Sequence, residues 1–173
     1  MNKNSLIETL RIERARWDML LVQVDSDRMT VPGVVGEMSM RDILADVVRH
    51  EKYAAWQLKR AMLEREQPAA PADASSPETR SDRVGDRAAE KGAPAAVLLE
   101  ESRRTFEAIV RMLMRLSDED IFSRRLDAAG DRPVAALVPD CTFEHYRKYD
   151  AEIRRWMASR KRRRKRTSAS ATP

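Results

Sequence analysis

The chain has 173 residues, with 33 Lys and Arg against 28 Asp and Glu, a formal charge of +5. That length suits one domain with a real core. Five glycines, few aromatics, abundant Ala, Leu, Met, Arg and Glu, and no period-2 runs of β-branched residues argue for helices and against a sheet protein. The lone Cys141 excludes an intrachain disulfide and a cysteine-based zinc site.

The first helix is predicted from about Asn4 to Val24. Ser5-Leu-Ile-Glu8 has the Ser-x-x-Glu capping pattern, and Leu6, Leu10, Trp17, Leu20, Leu21 and Val24 share one face. No signal-peptide apolar core and no bilayer-length apolar run is present, so the cytoplasm is the expected compartment. Asp25 to Glu37 is expected as a loop, broken by Pro32-Gly33 and Gly36.

The second helix is predicted to start at Ser39, with Ser39-Met-Arg-Asp42 as its capping box, and to end near Glu66. Ile43, Val47, His50, Ala54, Leu58 and Ala61 form its stripe. Asp46 lies beside that stripe, where a carboxylate needs a partner to be buried. Residues 67–79, rich in Pro, Ala and Ser, are expected as a mobile linker, and Arg80 to Lys91 as a short helix.

A third helix is predicted from Pro94 to about Leu116, with Leu98, Leu99, Phe106, Ile109, Met112, Leu113 and Leu116 on its apolar face. Ser117-Asp-Glu-Asp120 is expected to cap a short turn. Ile121 to Asp140, holding Gly130, Pro133 and Pro139, is expected as a long irregular connection.

The fourth helix is predicted from about Thr142 to Arg160, capped by Asp140 or Thr142. His145, Tyr149, Ile153 and Trp156 recur at i, i+4, i+8 and i+11, one stripe opposite Arg147, Lys148, Asp150, Arg154 and Arg155. The seven cations from Arg160 to Arg166 carry the basicity: without them the +5 becomes −2. Residues 161–173 are expected as a disordered basic tail on a bundle domain spanning 1–160. Arg162, Arg163, Arg164, Lys165 and Arg166 would bind nucleic-acid phosphates without sequence preference, or serve as a solvated extension complementing the helix dipole. The expected fold is an all-α four-helix bundle.

Pro32-Gly-Val-Val-Gly-Glu-Met-Ser-Met-Arg-Asp-Ile-Leu-Ala-Asp-Val-Val-Arg-His50 resembles the second-helix signature of the ClbS/DfsB family, in the DinB-like superfamily. Pro32, Gly33, Gly36, Ser39, Asp42, Leu44 and Ala45 match, and Phe143-Glu-His-Tyr-Arg147 resembles the fourth-helix motif. The resemblance implies a bundle with a polar pocket at one end. Some members protect their host by hydrolysing the cyclopropane of an electrophilic genotoxin. Other DinB-like proteins transfer small thiols with a divalent metal. Where such metalloproteins place three histidines, this chain has Asp46, His145 and Tyr149; where the family has tryptophans, it has Met38 and His50.

Three arrangements of these residues are open. Asp46, His50 and His145 offer two imidazoles and a carboxylate to a divalent cation. They equally suit a sealed, self-satisfied polar cluster. Or they line a metal-free pocket in which Asp46 and His145 act as base and Tyr149 as acid. The expectation adopted is small-molecule binding or hydrolysis, with Asp46, His145 and Tyr149 catalytic, His50 and Trp17 contacting the ligand, and no metal or cofactor. The alternative is a non-catalytic bundle that binds nucleic acid or a partner through its tail. Cys141, next to a helix start, is a possible nucleophile or a small core residue. Trp17, Trp56 and Trp156 are expected to pack.

Overall fold

The computed structural model of the chain describes residues 2–66, 92–123 and 132–169, with side chains described as far as residue 63 in the second segment's preceding helix and 159 near the C-terminus. The described elements are α1 (Lys3–Val22), a 3₁₀ turn (Ser26–Arg28), α2 (Met40–Glu66), α3 (Ala95–Arg115), α4 (Asp118–Phe122), α5 (Val134–Cys141) and α6 (Phe143–Ala169). The four long helices α1, α2, α3 and α6 form an all-α bundle, and their stripes meet in one core. Leu6, Leu10, Leu20, Ile43, Leu44, Leu58, Leu98, Ile109 and Leu113 are almost fully buried there. The linker expected at 67–79 and the short helix at 80–91 lie outside the described residues.

Side chains set the helix starts. Ser39 N–H donates to Asp42 Oδ2 at 2.9 Å while Asp42 N–H donates to Ser39 Oγ, the expected capping box. Ser39→Ala should therefore lower stability by about 1 kcal/mol, read from denaturant unfolding. Ahead of it, Gly36 at φ +55° turns the chain tightly enough for Met38 N–H to reach the Val35 carbonyl, a conformation strained for other residues. The cap of α1 is one turn earlier than expected: Asn2 accepts from Ser5 N–H and Ser5 Oγ from Asn2 N–H, so Ser5 closes the box instead of opening it. Ser117 and Asp120 cap α4 reciprocally, as expected.

Three further expectations are corrected. The 121–140 connection holds a helix, α5. Pro133 stands just outside it as N-cap, its φ of −71° preset for helix entry, and Pro139 comes close enough to the end to forfeit only one late bond. Thr142 N–H donates to the Pro139 carbonyl, and Thr142 Oγ donates to the Val138 carbonyl at 2.6 Å. That hydroxyl is turned back to α5, and Asp140 is held by Arg132, so neither takes the expected capping bond on α6 in the contacts described. The helix end expected near Arg160 is passed as well. No Gly or Pro interrupts residues 143–169, Arg and Lys favour helix, and backbone helix carries through the basic run to Ala169. Residues 170–173 lie outside the described residues. No helix among the described residues is long and apolar enough to cross a membrane.

Candidate functional site

α2 and α6 meet at the Asp46 carboxylate. Asp46 Oδ2 is 2.7 Å from His145 Nε2 and accepts the Tyr149 hydroxyl at 2.7 Å. The helical register explains the pairing: His145 and Tyr149 are one turn apart on α6, so one oxygen meets both. Arg49, three residues along α2, pairs with Asp46 Oδ1. One turn on, His50 Nδ1 lies 2.8 Å from the Asp46 backbone carbonyl. The two imidazoles stack with centroids 3.8 Å apart and planes at 26°, and Tyr149 meets His145 edge-on at 5.4 Å.

Burial grades across this group. The Tyr149 residue is 4% exposed and the His145 side chain 8%, against 15% for Asp46 and 35% for His50. The cluster is therefore sealed on the α6 side and reachable through His50. Burial lowers both histidines to about 4, helped by His145, Arg49 and Lys148 at His50, and by Lys148 and Arg49 at His145. Both rings are neutral near pH 7. Burial also raises the Tyr149 phenol, which stays a hydrogen-bond donor.

Asp46, His50 and His145 place one potential ligand atom each within 4.8 Å of one another, the spacing of a three-ligand cation site. The donor set fits an ion poorly. The Asp46 carboxylate already receives Arg49, His145 and Tyr149, and a cation would displace two hydrogen bonds and turn the His145 lone pair toward itself. Elemental analysis of the purified chain should find no stoichiometric metal; about one ion per chain would reverse this assignment.

Trp17, the other expected ligand contact, is placed elsewhere. It is 2% exposed and stacks on Tyr146, centroids 5.3 Å apart, at a groove of about 310 Å³ lined also by Glu13, Arg16, Arg147, Asp150, Ala151 and Arg154. Cys141 is buried, and burial with Asp140 nearby pushes its thiol up to about 11, which favours the reading of a small core residue over a nucleophile. Trp156 packs inside, whereas Trp56 is half-exposed and stacks on Tyr53.

Behind the cluster lies a polar group the sequence reading missed. Glu51 is fully buried and accepts from Arg14 at 2.9 Å, Ser102 at 2.7 Å and Tyr146 at 2.5 Å, joining all four long helices. Burial pushes Glu51 up to about 7 against the pull of Arg14, Tyr146 and Ser102.

No protein-family model and no curated protein matches the sequence. Solved structures do match. An uncharacterised protein from Escherichia coli UTI89 is 13% identical with a TM-score of 0.70, over 92% of this chain and 95% of that one. DfsB, described as a sibling lethal factor precursor, is 15% identical with a TM-score of 0.67, over 92% and 97%. The colibactin self-resistance protein ClbS, solved in complex with double-stranded DNA, is 11% identical with a TM-score of 0.65, over 89% and 94%. At these identities the likeness establishes a ClbS/DfsB-like fold.

Proposed function

We propose that a bundle with this fold binds and hydrolyses a small electrophilic metabolite at the Asp46–His50–His145–Tyr149 cluster, as a self-protection or detoxification protein. The observation that carries the reading is the meeting of the Asp46 carboxylate with His145 and Tyr149 beside a solvent-reachable imidazole. The self-resistance role of ClbS, a protein of like fold, supports the self-protection reading.

The chemistry needs little beyond these groups. A neutral imidazole takes a proton from water as the water oxygen bonds to the electrophilic carbon. The strained bond breaks, its electron pair goes to the departing atom, and solvent supplies that atom's proton. Water is added across one bond, with no oxidant or reductant. An imidazole lowered to about 4 is a weak base, which suits a substrate whose ring strain assists opening. Incubating the full chain with activated cyclopropanes and epoxides should give water adducts by mass spectrometry, at rates that His145→Ala reduces while circular dichroism stays helical. Turnover retained in that variant would remove the cluster from the reaction.

A second reading concerns nucleic acid. The outer face of α6 exposes Arg147, Lys148, Arg154 and Arg155, and its helix continues through Arg160 to Arg166, including Arg162, Arg163, Arg164, Lys165 and Arg166. Twenty-seven residues make a rod of about 40 Å, long enough to follow a phosphate backbone. The ClbS complex with double-stranded DNA supports this. Truncation after Ser159 should abolish retention on double-stranded DNA at low salt and leave the melting temperature unchanged. Retention equal to the full chain's would place the binding elsewhere.

A further inference from the structure

The two imidazoles of the cluster are held in opposite tautomers, and the ring whose lone pair is on Nε2 is the more exposed. His50 Nδ1 faces the Asp46 backbone carbonyl at 2.8 Å, and a carbonyl can only accept, so Nδ1 carries the proton. The neutral ring then keeps its lone pair on Nε2. His145 directs Nε2 at the Asp46 carboxylate, which already takes Arg49 on one oxygen and the Tyr149 hydroxyl on the other. That carboxylate is an acceptor, so His145 Nε2 donates and its lone pair sits on Nδ1. Exposure separates the rings further, 35% for His50 against 8% for His145.

We infer that His50, through Nε2, is the base that meets the attacking water, and that Asp46 and His145 are positioning residues behind it. The role rests on the hydrolytic reading of the cluster. Asp46 serves twice: its backbone carbonyl fixes the His50 tautomer, and its carboxylate anchors the His145 ring on which His50 stacks. His145 in turn backs one face of the His50 ring and limits its rotation. Tyr149 donates to Asp46, so its proton serves the anchor, not the substrate.

With two histidines in the chain, the test is clean. In the full chain, long-range ¹H–¹⁵N NMR should show His50 protonated on Nδ1 and His145 on Nε2. Limited diethyl pyrocarbonate should modify His50 first, mapped by peptide mass. On an electrophile that the chain turns over, His50→Gln should lower kcat by about 10²–10⁴-fold. His145→Gln, which keeps an N–H donor for Asp46, should recover part of the turnover lost in His145→Ala. A base cannot be rescued by glutamine, so that recovery separates positioning from catalysis. His145 modified first, the reverse tautomers, or full turnover in His50→Gln overturns the inference. A chain that hydrolyses none of the electrophiles overturns the hydrolytic reading and this role with it; the tautomers and modification order distinguish that result from a wrong choice of histidine.

Discussion

Glu51→Ala should lower the free energy of unfolding by about 3–5 kcal/mol. Glu51 is fully enclosed, and its loss takes an acceptor from three donors at once: the Ser102 hydroxyl, the Tyr146 hydroxyl and the largely buried Arg14 guanidinium, which keeps Asp18 on its Nε side and the Ser102 oxygens. A buried guanidinium left with only the half-exposed Asp18 as its counter-charge, beside two buried hydroxyls short of an acceptor, is costlier than a missing surface pair, whose worth is about 0–1 kcal/mol. Replacing Arg14 and Glu51 together with apolar residues of similar volume should restore part of the loss, because it removes the buried guanidinium along with its buried partner. Urea unfolding of the two variants measures both. A loss below about 1 kcal/mol in Glu51→Ala would mean that the group behaves as a surface pair.

The same residue shapes the acid response. The folded chain holds the Glu51 proton up to about 7, against an ordinary value of 4.5, so between those limits folding weakens as pH rises. His50 and His145 act the other way: the folded chain protonates them near 4 and the unfolded chain near 6.5, so folding weakens as pH falls through that window. From about 4.5 to 6.5 the slopes oppose. Removing the Glu51 proton site with Glu51→Gln should therefore leave a melting temperature that drops more steeply on acidification than the wild type's.

Asp46→Asn should cost about 10²–10⁴-fold in turnover while the bundle stays folded. Asparagine nearly preserves the volume but removes the charge that orients the His145 N–H, and it can turn its own amide N–H toward that ring. The imidazole would then reverse its tautomer or leave the site, and the stack that supports His50 would loosen. Stability should change by only about 1–2 kcal/mol, since Asp46 and Arg49 are partly exposed and the Tyr149 hydroxyl can still find the amide oxygen. Loss of turnover with retained cooperativity of unfolding is the expected pair of readings. An unchanged rate would separate Asp46 from the chemistry.

The four long helices were legible because amphipathic stripes of period 3.6 follow from burial alone. Asp46, His145 and Tyr149 were legible as a group because a carboxylate beside one stripe and an imidazole on another require partners. α5 was hidden by its prolines: Pro133 and Pro139 read as breakers, although one stands outside the helix and the other near its end. The Arg14–Glu51–Ser102–Tyr146 group was hidden because the stripes admitted histidines and Tyr149 but passed over these four residues. Each of the four occupies a stripe position. Arg14 follows Leu10 by four and precedes Leu21 by seven; Glu51 follows Val47 by four and precedes Leu58 by seven; Ser102 follows Leu98 by four and precedes Ile109 by seven; Tyr146 precedes Ile153 by seven. Polar residues recurring in core register on every helix were the available signal. Trp17 was assigned to the histidine site by residue type, and nothing in its spacing tied it there; its face of α1 meets Tyr146 instead.

Hydrolysis in ¹⁸O-labelled water tests the central claim most directly. The full chain, incubated with an activated cyclopropane that it turns over, should release a product carrying one ¹⁸O, faster than buffer and faster than Asp46→Asn by the margin given above. A product formed at the buffer rate, or formed equally well by the folded Asp46→Asn chain, would contradict the account and leave the cluster as internal packing of the bundle.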